Sequence, residues 1–144
     1  MGKLVSILRR RSPVVYVLGP DQTVAEAVTV MAEKHIGVVP ILEGRRLVGI
    51  FSERDLLRRV VAKGISLEKT TLREVMTPDP VTAGPDEDRQ SAIQKMQAAG
   101  CRHLPIMVNE YVVDMISTRD LLFVELEERD QEIAALRGYI HGDY

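Results

Sequence analysis

Residues 13–57 of the chain recur at 78–122, at a constant offset of 65 and without a gap. Pro13 returns as Pro78, Gly19-Pro20-Asp21 as Gly84-Pro85-Asp86, Ala27 as Ala92, Met31 as Met96, and Pro40-Ile41 as Pro105-Ile106. Ser52-x-Arg54-Asp55-Leu56-Leu57 returns as Ser117-x-Arg119-Asp120-Leu121-Leu122. Scattered identities arise by chance, but this many in one register mark a duplication. A duplication predicts two similar units facing each other across a pseudo-twofold axis, with a shared role at their interface. The chain has 144 residues, and a unit of about 60 residues is marginal for a core of its own. The two units are therefore expected to fold as one body.

Composition removes several function classes. The net charge of −2 supplies no field that would draw in nucleic acid or an anionic membrane. The short basic clusters Arg9-Arg10-Arg11, Arg45-Arg46 and Arg58-Arg59 read as solvated surface. No apolar run approaches the roughly 20 residues that span a bilayer, and the N-terminus shows no signal-peptide segment. Met1-Gly2-x-x-x-Ser6 matches the myristoylation pattern, but nothing else points to a membrane. Cys101 is the only cysteine. It cannot form an internal disulfide, which fits a reducing, cytoplasmic compartment.

Local signals give each unit the order β-α-β-β-α. A short amphipathic helix over Leu4–Leu8 stops at Ser12-Pro13. Val14–Leu18 is β-branched and apolar, hence an expected strand. Thr23 can cap a helix whose apolar positions are Val24, Ala27, Val28 and Met31. Gly37–Leu42 and Leu47–Phe51 form a hairpin around Glu43-Gly44, and Ser52 opens the next helix. The second unit repeats this with a strand near Val81, a helix over 88–99, strands over 102–107 and 111–116 turning at Asn109-Glu110, and a helix from 118. A short helix around Leu72–Val75 interrupts the connector. Pro40 and Pro105 each lie inside an apolar strand. Proline removes a ladder donor, so both positions predict an open sheet edge with backbone groups available to a ligand or partner. In the last helix Leu122, Leu126, Arg129, Ile133, Leu136 and Ile140 alternate spacings of four and three. That is a heptad seam broken by one arginine. It fits either packing on the chain's own body or packing against the same helix of a second subunit.

The most informative local motif is Gly49-Ile50-Phe51-Ser52-Glu53-Arg54-Asp55, answered by Asp114-Met115-Ile116-Ser117-Thr118-Arg119-Asp120. An apolar strand ends at a hydroxyl residue that starts a helix, and an aspartate follows three residues later. Ser-x-x-Asp is a capping-box pattern, in which each side chain satisfies free amides of the first turn. The same geometry also suits a nucleoside phosphate. A helix N-terminus offers free N–H groups and partial positive charge to a phosphate, and a carboxylate one turn in can accept two vicinal ribose hydroxyls. The two roles are compatible.

The duplicated unit, the apolar strand ending in Pro-Ile, and the paired Ser-x-x-Asp motifs resemble paired cystathionine-β-synthase (CBS) domains, the Bateman module. The resemblance covers roughly residues 5–125. It implies an α/β (α+β) fold of two pseudo-twofold-related repeats packed as one module, with an extended C-terminal helix. The expected boundaries are 1–66 for repeat 1 with its N-terminal helix, 67–125 for repeat 2, and 126–144 for the C-terminal helix extension. The resemblance also implies regulatory binding of an adenosyl ligand (AMP, ADP, ATP or NAD, with S-adenosylmethionine also in the class) in two clefts between the copies. Carried over, one cleft uses Ser52, Arg54 and Asp55 with Val81, Thr82, Cys101 and Arg102. The other uses Ser117, Arg119 and Asp120 with Tyr16, Val17, Ile36, Gly37 and Val38. Arg102 can meet a phosphate, whereas Gly37 stands at the equivalent place in the other cleft. The motif glycine is Gly49 in one copy and Asp114 in the other. If that glycine admits the ligand to the backbone, the Asp55 cleft is the better site.

Little is left for catalysis. Cys101 and His103 would share a strand face only if that strand is regular, and no third group accompanies them; His35, His103 and His141 lack metal-ligand spacing. No metal is expected and the chain is not read as an enzyme. The expected role is a stand-alone nucleotide sensor that dimerises and acts on a protein effector in trans, with neither nucleic acid nor membrane as a partner. The alternative is an interaction and dimerisation module whose clefts are vestigial.

Overall fold

The computed structural model describes residues 2–8 and 15–141, so Arg9-Arg10-Arg11, the stop at Ser12-Pro13 and the start of the strand at Val14 fall outside it. The elements in chain order are α1 (Val5–Leu8), α2 (Val24–Lys34), β1 (Val38–Glu43), β2 (Arg46–Ser52) and α3 (Glu53–Asp55). A π-helical stretch over Leu56–Val61 continues α3. Then come α4 (Leu72–Val75), β3 (Thr77–Pro78), α5 (Arg89–Ala99), β4 (His103–Val108), β5 (Tyr111–Ser117) and α6 (Thr118–His141).

Each repeat is a hairpin backed by helices. The Thr23 hydroxyl accepts from the Glu26 amide at 3.2 Å to start α2, and Asp88 accepts from the Gln90 amide at 2.7 Å to start α5. Left-handed residues end both helices, His35 at φ 55° and Gly100 at φ 68°. β1 pairs antiparallel with β2, and β4 with β5, each with a register shift just after the Pro-Ile dipeptide. Asn109 and Glu110, at φ 49° and 70°, form the tight turn of the second hairpin.

Two expectations about the sheets do not hold. The strands expected at Val14–Leu18 and near Val81 are, within the described residues, single-residue parallel bridges, Leu18 with Ile41 and Ala83 with Ile106. Gly19-Pro20 and Gly84-Pro85 follow at once, and a proline cannot extend the ladder. The same bridges close the edge expected to be open at the strand prolines. The Leu18 amide donates to the Pro40 carbonyl at 3.1 Å and the Leu42 amide to the Leu18 carbonyl at 2.8 Å. In the second repeat Ala83 and Met107 make the same bonds to and around Pro105, at 3.0 and 2.8 Å.

The two cores are completed by exchange. Leu72, Val75 and Met76, which precede repeat 2, pack into the core of repeat 1 with Val39, Ile41 and Phe51. Leu4 and Ile7 of α1, which precede repeat 1, pack into the core of repeat 2 with Leu104, Ile106 and Ile116. A fully buried leucine or isoleucine contributes about 1.5–3 kcal/mol, so neither repeat keeps its core if the other is removed. The chain is one module.

The C-terminal stripe does not pack on the body of the chain. Leu122, Leu126, Ile133 and Leu136 are 60, 53, 47 and 61% exposed. These four side chains are left uncovered by the rest of the described chain.

Candidate functional site

The two Ser-x-x-Asp motifs stand where β2 and β5 end and helices begin. Both form reciprocal caps. The Ser52 amide donates to Asp55 Oδ2 at 3.0 Å and the Asp55 amide to Ser52 Oγ at 3.2 Å. The Ser117 amide donates to Asp120 Oδ2 at 2.8 Å and the Asp120 amide to Ser117 Oγ at 3.1 Å. The caps also tie each motif to its own hairpin. The Glu53 amide donates to the Gly37 carbonyl and the Thr118 amide to the Arg102 carbonyl, both at 3.0 Å.

The copies meet at this end. Arg54 of repeat 1 donates through Nη1 to the carbonyl of Gly100 in repeat 2 at 2.8 Å. Arg54 is thus placed beside Cys101 and Arg102, two of the residues expected to complete its cleft. His103 adjoins both copies, because the charges that act on it belong to Asp120, Glu53 and Arg102. Burial is the largest influence and pushes its imidazole below the usual histidine range, with Asp120 and Glu53 pulling the other way. A depressed folded-state value means that the folded protein prefers the neutral ring. This contribution is present above the unfolded value of about 6.5 and is lost as the pH falls through the folded value. The expected result is a fall in melting temperature between pH 7.5 and 5.5 that is reduced in His103→Gln; equal slopes in the two proteins would count against it.

The two aspartates are differently housed. Asp55 is 6% exposed. Its Oδ2 also accepts from Ser52 Oγ at 3.1 Å, and its Oδ1 accepts from Thr77 Oγ1 at 3.0 Å. Arg59 Nε lies 3.6 Å from Oδ1, while Arg59 Nη1 reaches the Val75 and Met76 carbonyls at 3.3 and 2.7 Å. Asp55 therefore fastens its motif to the connector that leads into repeat 2. Asp120 is half-buried. Spacing and resemblance did not single out Thr77 and Arg59. Arg59 could have been found as the i+4 partner of Asp55, and Thr77 as the hydroxyl residue before the repeated proline, matched by Ser12 before Pro13.

Gly49 has a reason internal to the fold. It pairs with Pro78 of β3. A Cβ built there would lie 2.5 Å from Met76 Sδ and 2.8 Å from the Thr77 carbonyl oxygen. The glycine admits a neighbouring strand, so its presence does not by itself rank the two clefts. In the second copy Asp114 is 4% exposed and its Oδ1 accepts from the Met115 amide at 2.7 Å.

The remaining expected residues are distributed as follows. Val81 and Val17 are 38 and 47% exposed. Thr82 and Cys101 are half-buried and Arg102 and Arg119 are exposed. Tyr16, Ile36 and Gly37 are half-buried and Val38 is buried. Tyr16 carries Lys34 over its ring at 5.2 Å. The Glu53 carboxylate carbon lies 3.4 Å from the point where a Gly37 Cβ would be. Glu53 thus stands against Gly37, the residue whose counterpart in the second repeat is Arg102. Among the described residues no group of three or more His, Cys, Asp or Glu side chains could hold a metal ion. No helix there is long and apolar enough to cross a membrane.

Two hairpins with paired helix caps, locked by exchanged helices, define a tandem-repeat module, and comparison with known proteins identifies it. The family model for the CBS domain matches residues 5–62 and 72–127. The chain belongs to the CBS-domain family and carries two such domains in tandem. The mitochondrial CBS domain-containing protein CBSX3 of Arabidopsis thaliana is 30% identical over 129 residues, which are 86% of this chain and 63% of that protein. The chain thus spans less than two thirds of that relative's length. A protein with CBS domains from Burkholderia ambifaria has a similar structure, with a TM-score of 0.79 and 28% identity over 83% of this chain and 90% of that one. A CBS domain protein of Pyrobaculum aerophilum, complexed with AMP, gives a TM-score of 0.71 and 27% identity over 82% of this chain and 88% of that one.

Proposed function

We propose that this chain is a regulatory module that binds an adenosine nucleotide (AMP, ADP, ATP or NAD, with S-adenosylmethionine in the same class) in clefts between its two CBS domains and transmits occupancy to a protein partner. The observation that carries this reading is the meeting of the two motif ends. Arg54 bridges the copies at Gly100, and Ser52–Asp55 and Ser117–Asp120 each present a capped helix start beside a carboxylate. The AMP complex of the Pyrobaculum relative supports the ligand class.

The clefts are unequal in this reading. A ribose entering at Asp55 must exchange for the bonds from Thr77 and Ser52, whereas Asp120 is the more exposed carboxylate. Such an exchange would loosen the 75–78 connector that Asp55 and Arg59 hold, so binding would favour a second arrangement by the difference in ligand affinity between the two. Arg102 remains the phosphate contact of the Asp55 cleft. The saturated bonding of Asp55 favours the second reading, an interaction module with a vestigial cleft, at that site alone.

Thermal shift and calorimetry with AMP, ATP, NAD and S-adenosylmethionine test the proposal. A ligand at about 100 times its dissociation constant stabilises the folded chain by about 2.7 kcal/mol. The expected outcome is a dose-dependent rise in melting temperature with at least one of them, reduced in Asp120→Ala. No response from any at millimolar concentration would sink the reading.

A further inference from the structure

The backbone clip that joins each motif to its own hairpin is the same in both copies but carries opposite charge. In repeat 1 the Glu53 amide donates to the Gly37 carbonyl, and in repeat 2 the Thr118 amide donates to the Arg102 carbonyl. The offset of 65 makes Glu53 the counterpart of Thr118 and Gly37 that of Arg102. One clip therefore bears a carboxylate and the other a guanidinium. Because Gly37 has no side chain, the Glu53 carboxylate lies over it, with its carbon and two oxygens 3.4, 3.5 and 3.6 Å from where a Cβ would stand. The charges of Glu53 and Asp120 both reach His103, so these two carboxylates, one from each copy, stand near one another across the interface. Asp120 also borders a groove of about 690 Å³ whose apolar lining is Ile7, Phe123 and Val124. Arg119 and Glu127 line the same groove with opposite charges.

We propose that the Asp120 cleft selects an adenosyl ligand without a 5′-phosphate, one whose 5′ carbon carries a neutral or cationic group such as a thioether or sulfonium, and that Glu53 sets this selectivity. The selectivity presupposes the nucleotide reading above and narrows it for one cleft. A ribose carries its base at C1′ and its 5′ carbon at C4′, on opposite sides of the two hydroxyls that a carboxylate holds. With the hydroxyls on Asp120 and the base on the apolar groove, the 5′ group is directed to the Gly37–Glu53 side. A phosphate there meets a carboxylate, and such a like-charge contact rejects a ligand more effectively than a missing attraction does. A sulfonium meets its counter-charge, and an uncharged 5′ group meets no repulsion. In the Asp55 cleft the counterpart of Gly37 is Arg102, whose guanidinium favours phosphate. The two repeats thus sort ligands by charge on one scaffold.

Isothermal titration calorimetry of the full chain with adenosine, S-adenosylmethionine and AMP is the test, applied to wild type, Glu53→Gln, Asp120→Ala and the double variant. Wild type is expected to bind adenosine and S-adenosylmethionine, and Asp120→Ala to lose both. Glu53→Gln is expected to tighten AMP binding at the Asp120 cleft about tenfold or more, the scale of one charge contact a few ångströms away. It is also expected to weaken S-adenosylmethionine and to leave adenosine unchanged. The gain for AMP is expected to vanish in Glu53→Gln/Asp120→Ala, which assigns it to this cleft. Glu53 is exposed, so the isosteric glutamine should leave the melting temperature as it is. An AMP affinity that Glu53→Gln does not raise, or a rise that survives the loss of Asp120, would overturn the selectivity while the nucleotide reading stands. So would an Asp120→Ala chain that loses AMP but keeps adenosine. A wild type that answers none of the three probes overturns the selectivity, and one that also ignores ATP and NAD overturns the nucleotide reading with it.

Discussion

Gly49→Ala is expected to lower the unfolding free energy by about 3 kcal/mol, at the upper end of the range for inserting a methyl group into a packed core. In a chain of this size that is a fall of roughly 10 °C in melting temperature. The added carbon would lie 2.5 Å from Met76 Sδ, which can move, and 2.8 Å from the Thr77 carbonyl oxygen, which can move only with β3. Displacing β3 carries Thr77 away from Asp55 and disturbs Met76 in the first core. The equivalent position of repeat 2 accommodates Asp114, so the intolerance comes from the β3 neighbour and not from strand geometry. A variant within about 1 kcal/mol of wild type by urea denaturation would show that β3 yields freely, and the close-approach account would fall.

Asp55→Ala is expected to cost about 2–3 kcal/mol. A helix cap alone is worth about 1 kcal/mol. The additional loss arises because the Ser52 amide and hydroxyl and the Thr77 hydroxyl lose a charged acceptor together, and hydrogen bonds to charged groups contribute about 1.5–3 kcal/mol. Arg59 loses its buried counter-charge but keeps the Val75 and Met76 carbonyls and is 43% exposed, so its share is small. Thr77→Val should cost about 1 kcal/mol by itself and much less in the Asp55→Ala background, because the two changes remove the same bond. Additive costs in the double variant, or a loss limited to a cap, would show that Asp55 does not anchor the connector.

These two residues mark where sequence reading stopped short. Gly49 was visible as part of a repeated motif, and Asp55 as the end of a capping pattern. Both readings were local, and the capping one holds: the caps form in each copy. The reasons these residues cannot be exchanged lie in contacts with Met76 and Thr77, more than twenty positions away in the chain. The same holds for the strand prolines. Proline chemistry correctly marked a sheet edge, but the residues that cover it, Leu18 and Ala83, were expected in longer strands. Helix and hairpin positions fared better, because α2, α5 and both hairpins are written in spacings of two, three and four and in their turn residues.

The sequence by itself determined the duplication, the order of elements in each repeat, the two capped motifs and the apolar seam of α6, because each is a relation between residues close in the chain or repeated along it. Tertiary structure alone decided that α1 completes the core of repeat 2 and α4 that of repeat 1, that Asp55 is held by Thr77 and Arg59 while Asp120 is more exposed, and that the α6 seam faces away from its own chain. Those outcomes depend on which surfaces meet once the repeats pack. Two copies of nearly the same local code acquire different neighbours there, and the neighbours, not the code, set burial and bonding.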